Sequence, residues 1–216
     1  MKNIKLVIFD WDGTLCNSID TIVSSLQFTA DKFGYQISNQ QAKDVIGLAL
    51  PIALDTLFPT DDAEKRQQIF DTYVEHNVPH SAHDAWYDGA LTMLQDLKQR
   101  GILLAVATGK ARKGLNRVFE RMPECKDIFV TSRCADEALS KPNPLMLEQI
   151  LTELNLTAEQ AIMVGDSVYD VQMAKNINMQ AIGITHGVHG AEILQPYADV
   201  IVDNIEQLHQ HFQAKL

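Results

Sequence analysis

Short apolar runs that alternate with amphipathic segments constrain the fold of this chain more than any other feature of its sequence. Strand-length apolar runs occur at residues 4–9, 102–107, 128–131, 161–164, 181–184 and 200–202. Helical periodicity is found between and after them, at residues 89–100, 110–121, 143–154, 168–177 and 204–213. Runs that are apolar on both faces suit parallel strands covered by helices. The alternation therefore predicts an α/β fold with a doubly wound parallel sheet.

A long segment between the first two apolar runs interrupts the alternation. It begins with a helical pattern that is predicted to end at Gly34. Helical spacing continues in three further stretches, at about residues 39–46, 50–58 and 62–76. A connection of this length is too long for a simple loop. We therefore predict an inserted all-helical cap domain at residues 17–83, a core formed by residues 1–16 and 84–216, and a returning linker at residues 76–88.

Charge and composition exclude several classes of function. The net charge of −10 repels phosphate backbones, so nucleic acid is not an expected partner. The three cysteines, Cys16, Cys125 and Cys134, form no CxxC pair, which is typical of a reducing compartment. No apolar stretch approaches the roughly 20 residues that a membrane span needs. We expect a cytoplasmic protein without a membrane partner, either a monomer or a weak homodimer.

Chemically active side chains follow four of the predicted strands. Ligands of open parallel sheets bind beyond the carboxyl ends of the strands, so these residues are expected to share one crevice. The candidate residues, in chain order, are Asp10, Asp12, Thr108, Gly109, Lys110, Lys141, Asp166 and Asp170. Four carboxylates in a dry crevice would repel one another unless a cation lay between them. Mg²⁺ prefers such oxygen ligands together with phosphate oxygens.

The composition of the predicted crevice suits phosphoryl transfer. Lys141 and Thr108 supply a positive charge and a donor, and a phosphoryl group fits between them and a metal ion. Asp10 and Asp12 are spaced so that both leave the strand on the same side. One of them could be the nucleophile, giving an aspartyl-phosphate, and the other could carry the proton.

Four segments resemble, in order, the motifs of the haloacid dehalogenase (HAD) superfamily. They are residues 10–15 (DWDGTL), 108–109 (TG), 141–142 (KP) and 165–170 (GDSVYD). The helical insertion resembles the small cap of the phosphoglycolate phosphatase and β-phosphoglucomutase branch. The resemblance implies a Rossmann-like core and a Mg²⁺-dependent phosphatase that acts on a small phosphorylated metabolite.

The resemblance also implies a role for each matching residue. Asp10 would be the nucleophile and a metal ligand, and Asp12 would be the general acid and base and bind the metal through its backbone carbonyl. Thr108 and the amide of Gly109 would hold phosphoryl oxygens, and Lys141 would neutralise Asp10 and the phosphoryl charge.

Three further positions complete the roles that the resemblance implies. Asp166 would bind Mg²⁺, and Asp170 would orient metal-bound water or Lys141 from behind the ligands. Gly47 lies where this branch places its substrate-specificity loop, so it is expected to contact the substrate. The uncharged loop at residues 46–51 could equally be a packed junction between two cap helices.

Other functions remain open from the sequence. A pyrophosphatase fits the same motifs. A phosphosugar mutase fits less well, because mutases of this branch have a Glu where this chain has Gly165. A phospho-accepting signalling module would lack the helical insertion and Asp12. The basic cluster of Lys110, Arg112, Lys113 and Arg117 is either a solvated helix face or a contact for a second anionic group, with Lys110 the expected substrate contact.

Overall fold

A six-stranded parallel sheet forms the centre of the protein. The computed structural model describes residues 4–216. The strands are β1 (Leu6–Phe9), β2 (Cys16–Asn17), β3 (Ala85–Trp86), β4 (Leu103–Thr108), β5 (Thr131–Cys134), β6 (Ala161–Gly165), β7 (Gln180–Ile184) and β8 (Val200–Val202). The main sheet has the order β5-β4-β1-β6-β7-β8, and all its neighbouring strands are parallel. The predicted doubly wound α/β architecture is therefore confirmed.

Helices cover both faces of the sheet and also form the insertion that follows β1. They are α1 (Ile19–Phe33), α2 (Asn39–Asp44), α3 (Leu50–Leu57), α4 (Ala63–His80), α5 (Ala90–Gln99), α6 (Arg112–Arg121), α7 (Cys125–Ile128), α8 (Leu145–Leu154), α9 (Val168–Lys175), α10 (Ala191–Leu194) and α11 (Ile205–Lys215). Helices α5, α6, α7 and α11 pack against one face, and α8, α9 and α10 against the other. Within residues 4–216, no helix is both long and apolar enough to cross a bilayer.

Strand β1 shows why the apolar runs predicted a buried sheet. Val7 and Phe9 point into the core on one face, and Leu6 and Ile8 point into the core on the other. Successive side chains of a strand alternate between faces, so a strand between two helical layers must be apolar at every position. Burying these side chains stabilises the fold by roughly 1.5–3 kcal/mol each.

The third strand was predicted at the wrong position. The apolar run at residues 128–131 lies mainly outside the sheet, because α7 ends at Ile128 and β5 begins only at Thr131. Ile128 and Phe129 are buried, but they are buried against the helices on one face of the sheet. Strand β5 is an edge strand and pairs only with β4, so its sequence (TSRC) can be largely polar.

Helices α1–α4 pack together around their own apolar cluster, which includes Leu26, Phe58 and Ile69. The predicted end of the first helix is confirmed, since Gly34 caps α1 with a φ of 73°. The linker predicted at residues 76–88 is wrong in its first part, because α4 continues to His80 with Pro79 in its last turn. The chain leaves and re-enters the core through β2 and β3, which pair antiparallel.

Glycine-specific geometry at the end of α1 gives a prediction of stability. We expect Gly34→Ala to lower the free energy of unfolding by about 1 kcal/mol, because alanine is strained at positive φ even where its methyl group has space. Gly114 lies inside α6 with room for a methyl group, so Gly114→Ala should raise stability by about 0.5–1 kcal/mol. Urea titrations of both variants check this. A loss of stability in both variants, or in neither, would contradict the assignment of Gly34 as the residue that needs glycine.

Candidate active site

A buried lysine joins two carboxylates at the carboxyl end of the sheet. Asp10 follows β1, and its backbone amide continues the ladder by donating to the carbonyl of Val164 at 2.9 Å. The Lys141 ammonium donates to Asp10 Oδ1 and to Asp170 Oδ1, at 2.6 Å in each case. All three side chains are at most 2% exposed. Burial lowers the pKa of Lys141, but the two carboxylates outweigh burial and raise it overall, so the lysine stays charged.

Asp166 is held by hydrogen bonds from two directions. The Thr14 hydroxyl donates to its Oδ1 at 2.7 Å, and the backbone amide of Val188 donates to its Oδ2 at 2.9 Å. Gly13 lies directly against the same carboxylate with a φ of 80°, and a β-carbon at this position would collide with it. The turn after β1 therefore needs glycine for two reasons, backbone conformation and close approach.

Asp170 is positioned by the start of α9. Its Oδ2 accepts hydrogen bonds from the Ser167 amide at 3.1 Å and from the Ser167 hydroxyl at 2.5 Å, which forms a capping box. Its Oδ1 remains directed at Lys141. The helix start thus fixes a carboxylate that in turn fixes the lysine.

The buried carboxylates form a group that fits a divalent cation. Asp10, Asp166 and Asp170 each offer an oxygen, and these oxygens lie within 4.8 Å of one another. One ammonium balances only part of their charge. Burial raises the pKa of Asp10 well above its usual value despite the opposing effect of Lys141. Burial, together with Asp170, raises the pKa of Asp166 to about 7. A bound cation would relieve this repulsion, and oxygen ligands suit Mg²⁺.

Asp12 has partners of its own. The Ser18 hydroxyl donates to Asp12 Oδ1 at 2.6 Å, and the Lys110 ammonium lies 2.9 Å from the same oxygen. Lys110 was predicted to contact the substrate. In the structure its ammonium forms an ion pair with the Asp12 carboxylate. Burial lowers the pKa of Lys110, but Asp12 outweighs burial, so that the pKa is raised overall.

The loop between α2 and α3 lies directly over the end of β4. Thr108 is fully buried there, and Gly109 follows it. A β-carbon at Gly109 would lie 2.7 Å from the carbonyl oxygens of both Gly47 and Leu48. The Ala49 amide in the same loop donates to Ser140 Oγ at 3.0 Å. The predicted substrate loop therefore reaches the edge of the sheet where the acidic residues lie.

Sequence reasoning missed three hydroxyl groups that position the carboxylates. Ser167 could have been found, because Ser-x-x-Asp is a capping-box pattern. Thr14 lies within the DWDGTL segment but makes a contact to Asp166, which is distant in sequence. Ser18 lies just before α1, and no local pattern shows that its hydroxyl turns back to Asp12.

The fold and the site together define a class of protein. A parallel α/β core with acidic residues beyond β1 and β6, a buried lysine between them and a helical insertion after β1 is the architecture of HAD-type hydrolases. The profile described as haloacid dehalogenase-like hydrolase matches residues 7–184. The chain belongs to this family, and the resemblance seen in the sequence is confirmed.

Individual relatives match over nearly the whole chain. A phosphoglycolate phosphatase of Vibrio cholerae is 32% identical, with 96% of each chain covered. A pyrophosphatase PpaX of Bacillus cereus is 29% identical, covering 95% of this chain and 94% of the relative. The crystal structure of a predicted phosphatase from Clostridium acetobutylicum superposes with a TM-score of 0.85 at 27% identity, covering 98% of this chain and 99% of that one.

The raised pKa of Asp166 predicts how stability depends on pH without a metal ion. The carboxyl group ionises near pH 4 in the unfolded chain but only near pH 7 in the folded protein. The unfolded state therefore loses this proton first, and the free energy of unfolding falls by a few kcal/mol between pH 4 and pH 7. Urea titrations in EDTA across this range measure the loss.

The variant Asp166→Asn serves as the control for this titration, since it keeps the shape of the side chain and removes the titrating group. We expect it to show a smaller decrease over the same range. Added Mg²⁺ should reduce the decrease in the unmodified protein, because it would bind the ionised folded state. Equal pH dependence in both proteins would show that Asp166 does not titrate as described.

Proposed function

We propose that this protein is a Mg²⁺-dependent phosphatase that hydrolyses a small phosphorylated metabolite through an aspartyl-phosphate on Asp10. The observation that carries the proposal is the buried contact of Asp10 with Lys141 beside two further acidic residues, at the floor of a cavity that Asp12 also lines. Relatives described as phosphoglycolate phosphatase and pyrophosphatase support phosphate chemistry.

The first step forms a bond between an Asp10 carboxylate oxygen and phosphorus while the bond to the leaving oxygen breaks. Asp12 gives a proton to that oxygen, so the leaving group departs as an alcohol or as protonated phosphate. Lys141, already 2.6 Å from Asp10, offsets negative charge as the phosphoryl group is transferred. Thr108 and the amide of Gly109 hold the phosphoryl oxygens.

The second step restores the enzyme. Water attacks phosphorus and loses a proton to Asp12, and the bond between Asp10 and phosphorus breaks to release phosphate. Ser18 and Lys110 hold the Asp12 carboxylate during both proton transfers, through contacts of 2.6 and 2.9 Å. Orientation by fixed neighbours of this kind accounts for much of the efficiency of general acid–base catalysis.

The residues that would hold Mg²⁺ are Asp10, Asp166 and the backbone carbonyl of Asp12. Asp170 would act from behind them, by holding Lys141 through its 2.6 Å contact. When bound, the ion supplies positive charge that neutralises the carboxylates and the phosphoryl oxygens. Its charge would also oppose the rise in the pKa of Asp10, which must be ionised to attack phosphorus.

The helical cap at residues 17–83 would complete the site by covering the crevice. The structure supports this domain division in two ways. Helices α1–α4 share an apolar cluster of their own, and the two crossings between cap and core are paired as β2 and β3. Closure of such a cap excludes water during phosphoryl transfer.

A phosphosugar mutase is less well supported than a hydrolase. Gly165 packs so closely against the Asp170 side chain that a β-carbon at this position would collide with it. The glutamate of the mutases that the sequence resembles does not fit here without moving Asp170, which holds Lys141. The geometry therefore favours transfer of the phosphoryl group to water.

Replacement of the nucleophile tests the proposed function. We expect Asp10→Asn to lower kcat at least ~10³-fold on p-nitrophenyl phosphate, phosphoglycolate or pyrophosphate, because the amide cannot form the covalent intermediate. Phosphate release with Mg²⁺ and with EDTA is the measurement, and EDTA should abolish it. Asp127→Asn, which also removes one carboxylate but lies on the exposed side of α7, is the matched control and should keep full activity. Undiminished turnover in Asp10→Asn would refute the mechanism.

A further inference from the structure

The cavity above the catalytic residues is large. It has a volume of about 890 Å³ and extends from Asp10 and Asp12 into the helical insertion. Cavities of about 300–1,000 Å³ with apolar walls are typical of sites that enclose a sizeable organic ligand.

The walls that the insertion contributes are mainly apolar. Helices α1 and α4 face the cavity with Ile22, Leu26, Phe70, Tyr73, Val74 and Val78. Leu48 and Leu50, from the loop over Gly109 and the start of α3, extend the same surface. Phosphoglycolate and pyrophosphate are small anions without an apolar body, so neither would remove this surface from water. An apolar group bound here would gain affinity in proportion to the area it covers.

Two positive side chains on α6 line the cavity. Lys113 and Arg117 are both exposed, and neither forms an ion pair within residues 4–216. Their neighbours in the basic cluster are occupied, since Lys110 lies on Asp12 and Arg112 pairs with Glu137 at 2.7 Å. Lys113 and Arg117 are therefore the two members of the basic cluster that can bind an anionic group in the cavity.

Several other charged residues that line the cavity have partners of their own, among them Asp84, which accepts a hydrogen bond from the Thr21 hydroxyl at 2.7 Å. Asp136 accepts a hydrogen bond from the Arg112 amide at 2.8 Å, and Arg121 donates to the backbone carbonyls of Ser81 and Asp84. Glu120 also lines the cavity but forms no ion pair within the described residues. Lys113 and Arg117 therefore line the same cavity as the apolar side chains of α1 and α4 and bring positive charge to it.

We propose that the substrate is a phosphomonoester whose leaving group has a large, mainly apolar body and an anionic group of its own. The apolar body lies against α1 and α4, and the anionic group lies near Lys113 and Arg117. This assignment rests on the proposed phosphatase function and narrows its substrate class. It sets the substrate apart from the small anions in the names of the relatives.

Three phosphate esters of primary alcohols with similar leaving oxygens test the assignment. They are ethyl phosphate, 2-phenylethyl phosphate and 2-(4-carboxyphenyl)ethyl phosphate. We expect kcat/KM to rise at least ~10-fold from the first to the second and again, by about 3-fold or more, from the second to the third. Values of kcat/KM that stay equal or fall along the three esters would overturn the proposal.

Variants that fill the cavity separate apolar binding from general effects on the cap. Val74→Trp should lower kcat/KM for 2-phenylethyl phosphate about 10-fold more than for ethyl phosphate, because the indole occupies the space of the phenyl ring. Ile52→Trp is the matched control, since Ile52 is 46% exposed on α3 and does not line the cavity, and it should change neither rate. Val78→Trp, one turn along α4, replaces Val74→Trp if that variant does not fold. An equal loss of kcat/KM for both esters would contradict binding of the apolar body against α4.

A charge-matched pair of variants tests the anionic end. Arg117→Gln should remove most of the advantage of the carboxylated ester over 2-phenylethyl phosphate. Lys126→Gln removes the same charge from the exposed surface of α7 and should preserve that advantage. Equal effects of the two variants would show that only net charge matters and would remove the anionic part of the assignment.

Binding of 3-phenylpropylphosphonate, which is not hydrolysed, separates failure of this inference from failure of the proposed function. Calorimetry should show that it binds at least ~10-fold more tightly than ethylphosphonate, and that Val74→Trp removes the difference. Binding of this kind without turnover of any ester would refute the phosphatase and retain the cavity assignment. Turnover of all esters with equal binding of the two phosphonates would refute the cavity assignment and retain the phosphatase.

Discussion

The ammonium of Lys141 between Asp10 and Asp170 is the interaction on which the rest of the site depends. Each ion loses its hydration when the core closes, and a buried pair is stable only when its partners are close and well oriented. The 2.6 Å contacts meet that requirement. They also join the chain beyond β1, the turn before α8 and the first turn of α9, so that one side chain holds three elements together at the carboxyl edge of the sheet.

The charge that Lys141 leaves unbalanced accounts for the remaining features of the site. Asp166 adds a further buried carboxylate, and its pKa is raised first by burial and then by repulsion from Asp170. Thr14, Ser167 and backbone amides reduce this repulsion only in part. The same unbalanced charge makes the site suitable for a divalent cation and, through the cation, for a phosphoryl group. The loop over Gly109 and the apolar faces of α1 and α4 enclose the space next to this edge of the sheet.

The sequence predicts the sheet well, and it predicts that Asp10, Lys141, Asp166 and Asp170 lie together, because strands and the residues that follow them are local signals. A strand buried on two faces must be apolar throughout, and the residues after it must lie at one edge. Prediction from the sequence fails where contacts between residues distant in the chain determine the structure. Apolar residues 128–129 belong to a helix end and the turn after it, while the polar β5 is an edge strand. No local sequence pattern around Lys110 indicates that its partner is Asp12. The same is true of Ser18, which contacts the same carboxylate. The size of the cavity depends on how helices α1–α4 pack against the rest of the protein, and no local sequence pattern encodes that packing.

Removal of the buried ammonium tests the central claim most directly. Lys141→Met keeps the length of the side chain and leaves two carboxylates without their partner, so the free energy of unfolding in EDTA should fall by about 3–5 kcal/mol. Adding Asp170→Asn removes one of the stranded charges and should recover a large part of that loss without restoring turnover. Urea titrations of the two single variants and the double variant measure this coupling. Additive effects of the two substitutions, or a Lys141→Met variant as stable as the unmodified protein, would contradict the account.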